Sequence, residues 1–296
     1  MTRPRRRLRL ASFQFVAALV LSACASVWAQ PQQVRVEPEH DYGQSVTGAF
    51  EGWFPNPDGT FSILLGYFNR NAKEELDIPI GAENKIEPGG PDYGQPTHFL
   101  PHRQWGVFTV TVPRDFGSKK LTWTLTANGV TTAIPASLAP LWELSPFQDA
   151  TGNTPPFVGF SDKGPFVQGP RGTSTQMKAT AGVPLPVEVW VADDAHLAPG
   201  ESRPHKPAVT LSWGKFRGPG NVTFSNNRPL PEESQFAAPP QTVFRGKASI
   251  TATFSEPGEY VLHLTANDWS GEGGQGFECC WTNAQVSVSV SASDNK

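Results

Sequence analysis

Phe254-Ser255-Glu256-Pro257-Gly258-Glu259-Tyr260-Val261-Leu262-His263-Leu264-Thr265-Ala266-Asn267-Asp268 is the stretch that decides the fold. Pro257-Gly258 is a turn signal. Beyond it Tyr260, Leu262, Leu264 and Ala266 share one phase, and Val261, His263 and Thr265 share the other. A period of two is the mark of a strand, because successive side chains leave the backbone on opposite faces. The reading is a strand with Tyr260 inward and His263 on an exposed sheet face.

The same period recurs outward in both directions. Val286, Val288 and Val290 alternate with three serines towards the C-terminus. Leu185, Val187, Val189 and Val191 alternate around Glu188 and Trp190, and Ile250, Ala252 and Phe254 share a phase. Further upstream, Leu121, Trp123 and Leu125 alternate with threonines, and Asn128-Gly129 supplies a tight hairpin turn. Phe108, Val110 and Val112 form another alternating run, and segments 46–54 and 60–68 flank the turn-rich Pro55-Asn56-Pro57-Asp58-Gly59. Residues 69–104 lack a sustained pattern and read as a long loop, of a length that is often functional. The 28 Gly and 29 Pro among 296 residues fit many turns, and no long helical periodicity competes. The chain is therefore read as all-β, with two immunoglobulin-like β-sandwich domains over 34–135 and 181–291. Residues 136–180 form a Pro/Gly-rich linker and an irregular first strand.

The Pro-Gly turn, the Tyr260-led strand and the terminal Asp268 resemble the signature of polycystic-kidney-disease-type (PKD) and related immunoglobulin-like repeats, over roughly residues 180–291. The resemblance implies a sandwich corner at Pro257-Gly258, with the Tyr260 ring buried and its hydroxyl bonded to nearby backbone. Most such modules are spacers, adhesion modules or binding modules, and the fold alone does not fix a function. The pattern departs from the family after Asp268, where residues 269–283 are longer than a standard loop.

Residues 1–29 read as an export signal: Arg3, Arg5, Arg6, Arg7 and Arg9 precede a short apolar run at 13–21. Two ends are open. Val27-Trp28-Ala29 suits ordinary cleavage. Leu21-Ser22-Ala23-Cys24 resembles a lipobox, which would make the signal 1–23 and place a lipid anchor on Cys24. Removing 1–29 lowers Lys plus Arg from 24 to 19 against 27 Asp plus Glu, so the mature formal charge is −8. Such a charge argues against nucleic-acid partners. No later apolar run reaches the length of a transmembrane helix.

The segment before the last strand carries the oddest chemistry. Gly271, Gly273 and Gly276 match G-x-G-x-x-G only formally, since no helix pattern follows to face a phosphate. Cys279-Cys280 admits three readings: ordinary strand thiols, a vicinal disulfide in an oxidising compartment, or metal or redox chemistry. Trp269 and Trp281 flank the pair and either form a ligand platform or anchor the loop on the sandwich rim. Trp269, Cys279, Cys280 and Trp281 are thus the candidate ligand-binding residues. His98 and His102, in Thr97-His98-Phe99-Leu100-Pro101-His102, are the candidate metal ligands, with Glu87 and Asp92 as further oxygen donors. Pro96 and Pro101 argue against the helix that four-residue spacing would exploit. Asp193, Asp194 and Asp268 sit at strand ends, where related sandwiches bind calcium.

No nucleophile elbow, phosphate loop or zinc-protease motif is present in the sequence. The expectation is a non-catalytic extracytoplasmic binding, adhesion or spacer protein, without a required cofactor, whose partner is an envelope protein or glycan. Its contact surfaces would be residues 269–281 and the 89–103 loop. One alternative is a periplasmic metal-binding protein or metalloenzyme using His98 and His102. The other is a carbohydrate-binding module that stacks sugars on Trp53 or Trp105.

Overall fold

The computed structural model describes residues 40–197, 200, 207–268 and 279–293. Residues 1–29, which read as an export signal, Cys24 among them, the glycines at 271, 273 and 276, and Trp269 lie outside the described residues. The described chain is all-β apart from one 3-10 turn at Pro140–Trp142. Among the described residues no helix is long and apolar enough to cross a membrane.

Eight strands build a first sandwich: β1 (Val46–Pro55), β2 (Phe61–Asn69), β3 (Leu76–Asp77), β4 (Asn84–Glu87), β5 (His98–Phe99), β6 (His102–Val112), β7 (Lys120–Ala127) and β8 (Val130–Ser137). One sheet has the order β1-β2-β6 and the facing sheet β4-β7-β8, while β3 and β5 pair separately. In immunoglobulin lettering these sheets are A-B-E and C-F-G. The alternation in β7 does what its sequence dictates: Leu121, Trp123 and Leu125 are buried and the threonines lie between core and surface. They meet Ile63, Leu65, Phe108 and Val110 in one core. The Trp123 and Phe108 rings meet at right angles, 5.2 Å between centroids.

Nine strands build the second sandwich: β9 (Phe157–Gly159), β10 (Thr173–Thr180), β11 (Leu185–Asp193), β12 (Thr210–Arg217), β13 (Val222–Phe224), β14 (Glu232–Glu233), β15 (Phe244–Phe254), β16 (Gly258–Asn267) and β17 (Trp281–Ser291). Their sheets run β13-β15-β11-β9 and β10-β17-β16-β12, with β14 on β15. These are the D-E-B-A and G-F-C arrangements. Strand A is divided between the sheets, since β10 pairs parallel with β17 while β9 pairs with β11. The corner before β16 closes as the turn demands. Tyr260 is 1 % exposed, donates its hydroxyl to Glu256 O at 2.9 Å and accepts from Gly220 N at 3.0 Å. Trp213 on strand C is buried in the same core.

Two expectations are corrected. Residues 69–104 are not a loop: β3, β4 and β5 lie within them, and β4 is a full partner of β7. Asn84 holds this crossover from inside, donating to Ile78 O and Pro96 O at 2.9 and 2.8 Å and accepting from Trp123 Nε1 at 3.1 Å. The face carrying Val261, His263 and Thr265 is not an open sheet face either. Val261 packs on the first core, Phe216 of β12 is buried in it, and the His263 ring lies 5.6 Å from Phe216. The outer face of the second sandwich is thus pressed against the first, and both belong to one compact unit.

Polar ties lock this junction. Lys215 pairs with Asp77 at 2.9 Å, and Arg217 grips Asp92 through two nitrogens at 2.7 and 3.0 Å. Thr97 N donates to Phe216 O at 3.0 Å, and Asn283 Nδ2 donates to Gly106 O at 2.7 Å. A bidentate guanidinium–carboxylate pair fixes orientation as well as distance.

Candidate functional site

The cysteine pair belongs to the junction. Cys279 and Cys280 form a vicinal disulfide across a cis peptide, and are 3 % and 0 % exposed. Their sulfurs lie beside Asn153 O, 3.5 Å away for Cys280. Asn153 Nδ2 in turn donates to Asp268 Oδ2 at 2.6 Å. The next residue, Trp281, is buried with Phe54 and Leu64, and Leu144 and Phe147 pack around them. Its Nε1 donates to Gly106 O at 3.4 Å. Gly106 is required there: its φ is +50°, and a Cβ would stand 2.2 Å from Cζ2 of Trp281. Cys279, Cys280 and Trp281, the candidate ligand-binding residues, are all buried, and Trp281 also lines the cleft described below. Apolar burial draws all three into a seam between the sandwiches, where they anchor β17.

His98 and His102 separate. His98 is 7 % exposed, and its two ring nitrogens face carboxylates, Nδ1 to Asp77 at 2.9 Å and Nε2 to Glu75 at 3.1 Å. Lys215 completes this cluster on the same Asp77. Burial works against charging His98, but the two carboxylates outweigh it and its pKa is raised. His102 stands outside at the head of β6, exposed and with φ +65°. In this arrangement both His98 nitrogens are engaged by carboxylates and His102 does not join them. Among the described residues no group of three or more His, Cys, Asp and Glu side chains gathers as a metal site would. Glu87 pairs with Lys85 at 2.8 Å and Asp92 with Arg217, so neither turns towards the histidines.

The two tryptophans named for sugar stacking also part company. Trp53 is 8 % exposed, meets Phe61 edge-on at 5.4 Å and donates Nε1 to Ala139 O at 2.9 Å. It is core. Trp105 is 37 % exposed and stands in an open cleft of about 480 Å³ where the sandwiches meet. Leu230, Arg228, His102, Arg103 and the rim of Trp281 share its walls.

A bulge aims Trp105. On β2 only Gly66 lies between Leu65 and Tyr67, while on β6 Trp105, Gly106 and Val107 lie between their partners Gln104 and Phe108. Such a mismatch bends the strand and re-aims a side chain. Gly66 allows it, because a Cβ there would lie 2.4 Å from Gln104 O. Arg103 then braces the ring. Its guanidinium covers one face of Trp105 at 3.9 Å, donates to Tyr67 O and Gln104 O at 3.0 and 2.7 Å, and pairs with Glu51 at 2.5 Å. Burial holds the Glu51 carboxyl above the usual range, partly offset by Arg103. Arg103 is thus spent on structure, a positioning residue for Trp105.

In the sequence Trp105 stands out only as one aromatic among others, and Arg228 and Leu230 not at all. The available signal was the isolated Gly106, which breaks the alternation that resumes at Phe108; a lone glycine inside a strand pattern marks a bulge. Nothing local marks Arg228 and Leu230, which reach the cleft only through the packing of one sandwich on the other.

No family model matches the chain, and no curated protein does. Solved structures similar to parts of it include domains 4 and 5 of the S-layer protein SbsC, at 11 % identity over 83 % of this chain and 98 % of that one, with a TM-score of 0.22. The D00-D0 domain of intimin is similar at 14 % identity over 82 % and 99 %, with a TM-score of 0.24. The Yersinia pseudotuberculosis adhesin InvE is similar at 10 % identity over 83 % and 58 %, with a TM-score of 0.23. Likenesses this distant carry no argument, and the immunoglobulin-like assignment stands on the strand pairing itself.

Proposed function

We propose that the chain is a non-catalytic extracytoplasmic binding protein of the cell envelope. Its two locked sandwiches act as a rigid body that presents the Trp105 cleft to a partner. The observation that carries this reading is the cleft: about 480 Å³, open to solvent, with a braced and partly exposed tryptophan on its wall. Ligand clefts commonly measure about 300–1,000 Å³ and combine apolar walls with a few placed polar groups. The N-terminal export pattern and the vicinal disulfide fit an oxidising compartment outside the cytoplasm. Among the candidate partners a glycan suits the cleft better than a flat protein surface, because an exposed indole stacks on the apolar face of a sugar ring.

Co-sedimentation with envelope preparations from the source organism tests this reading. The wild-type chain should bind, and Trp105→Ala combined with Leu230→Ala should weaken binding at least about tenfold, as loss of a central aromatic anchor does. Equal retention of both proteins, or retention of neither, would remove the cleft from the account.

A further inference from the structure

We infer that the cleft takes an anionic saccharide, its ring on Trp105 and its negative group at Arg228. This rests on the reading of the cleft as the ligand site and adds the ligand's charge.

Charge is distributed unevenly. The chain after residue 29 has a formal charge of −8, yet the described residues lining the cleft include His102, Arg103 and Arg228 and no Asp or Glu. A basic lining in an acidic molecule focuses the local field on an anion. The two guanidiniums play different parts. Arg103 is consumed by Glu51, two carbonyls and the Trp105 face. Arg228 is exposed and has no ion pair among the described residues; only its backbone N–H is engaged, by Asn226 Oδ1 at 2.9 Å. A free guanidinium beside a braced indole is a recognition pair: one fixes a carboxylate or phosphate, the other a flat apolar surface.

The remaining wall is mixed polar and apolar. Thr210, Ser212 and Thr265 offer hydroxyls, and the Asn267 side chain lines the same cleft. Leu230, 65 % exposed, adds apolar surface near Trp105. Several hydroxyl partners, one aromatic plane and one uncompensated cation match a charged sugar better than a fatty acid, which would leave the hydroxyls unmatched. A long polyanion such as single-stranded nucleic acid would run from the cleft onto the acidic surface.

Calorimetric titration of the full chain tests the inference. The probes are an oligogalacturonate, a mannose-6-phosphate oligosaccharide, a neutral galacto-oligosaccharide and an oligothymidylate. At least one anionic sugar should bind tenfold or more tightly than the neutral one. Which of the two does so separates a carboxylate from a phosphate. Arg228→Ala should abolish the preference, a loss of about tenfold for a charged hydrogen bond, and Arg228→Lys should keep part of it. Arg228 is exposed, so these variants fold.

Equal affinity for charged and neutral sugars, or a preference that survives Arg228→Ala, would overturn the inference while leaving the cleft as the site. Equal or tighter binding of the oligothymidylate would overturn it in favour of a nucleic acid. Binding to envelopes through Trp105 with no affinity for any sugar would defeat the saccharide inference alone. Sugar binding untouched by Trp105→Ala would defeat the cleft reading with it.

Discussion

Two tryptophans meet at the same cleft and do opposite things. Trp281 is 4 % exposed, closed in by Phe54 and Leu64, with its indole N–H on Gly106 O. Trp105, one residue before that glycine, is 37 % exposed and touched on one face by Arg103. The first sits beside a cysteine pair, the kind of neighbourhood that invites a functional reading. The second sits at a bulge that only the isolated Gly106 marks in the sequence. What separates them is the burial that each strand's packing imposes: an aromatic ring almost wholly enclosed by its neighbours joins the sandwiches, and one left partly open is available to a partner.

Truncation should widen this difference most. Trp281→Ala removes a fully packed indole and leaves a cavity in the seam, at a cost of about 3–5 kcal/mol. Trp105→Ala removes a rim side chain and should change stability by roughly 0.5 kcal/mol, the scale of surface substitutions, while it weakens binding. Urea denaturation of the two variants measures both. Equal stability losses would break the distinction on which the site assignment stands.

A smaller effect comes from two histidines at the junction, which titrate in opposite senses. His263 is depressed to about 4 by burial, with contacts to Asn283 and the Val107 backbone offsetting part of it. Its neutral form is therefore the folded one. Its contribution is complete above about 6.5 and is lost as pH falls towards 4, a change of roughly 2–3 kcal/mol. His98 is the reverse. Burial opposes its proton, but Asp77 and Glu75 prevail and raise its pKa. Its contribution is present below about 6.5 and fades as pH rises through the raised value. Unfolding free energy measured from pH 4 to 9 should therefore lose its acid-side slope in His263→Gln and its slope above neutrality in His98→Gln. Identical profiles for both variants would show that the junction does not hold these groups as described.

Much of the fold was legible because strands buried on one face must alternate. Leu121, Trp123 and Leu125, or Val286, Val288 and Val290, announce their burial by spacing alone. The Tyr260 corner was legible too, since Pro257-Gly258 fixes the turn and the ring needs a polar contact for its hydroxyl. Strand β4 was not, because Asn84-Lys85-Ile86-Glu87 has one apolar residue and is held by side-chain amide bonds from Asn84 that no periodicity records. The face of β16 carrying His263 misled for a related reason: the alternation gives two faces, but a second sandwich covering the other face is a long-range event. The cleft was the least legible part. Trp105, Arg228 and Leu230 are brought together by a bulge in one sandwich and a loop of the other, and Trp269 lies outside the described residues.

The central claim is that this protein engages its partner at the Trp105 cleft. Hydrogen exchange of the full chain, with and without solubilised envelope glycan, tests it directly. The account predicts slowed exchange at residues 102–105 and 228–230, with the Trp281 seam already protected and unchanged. Protection confined to the outer edges of either sandwich, with the cleft exchanging as in the free protein, would contradict it.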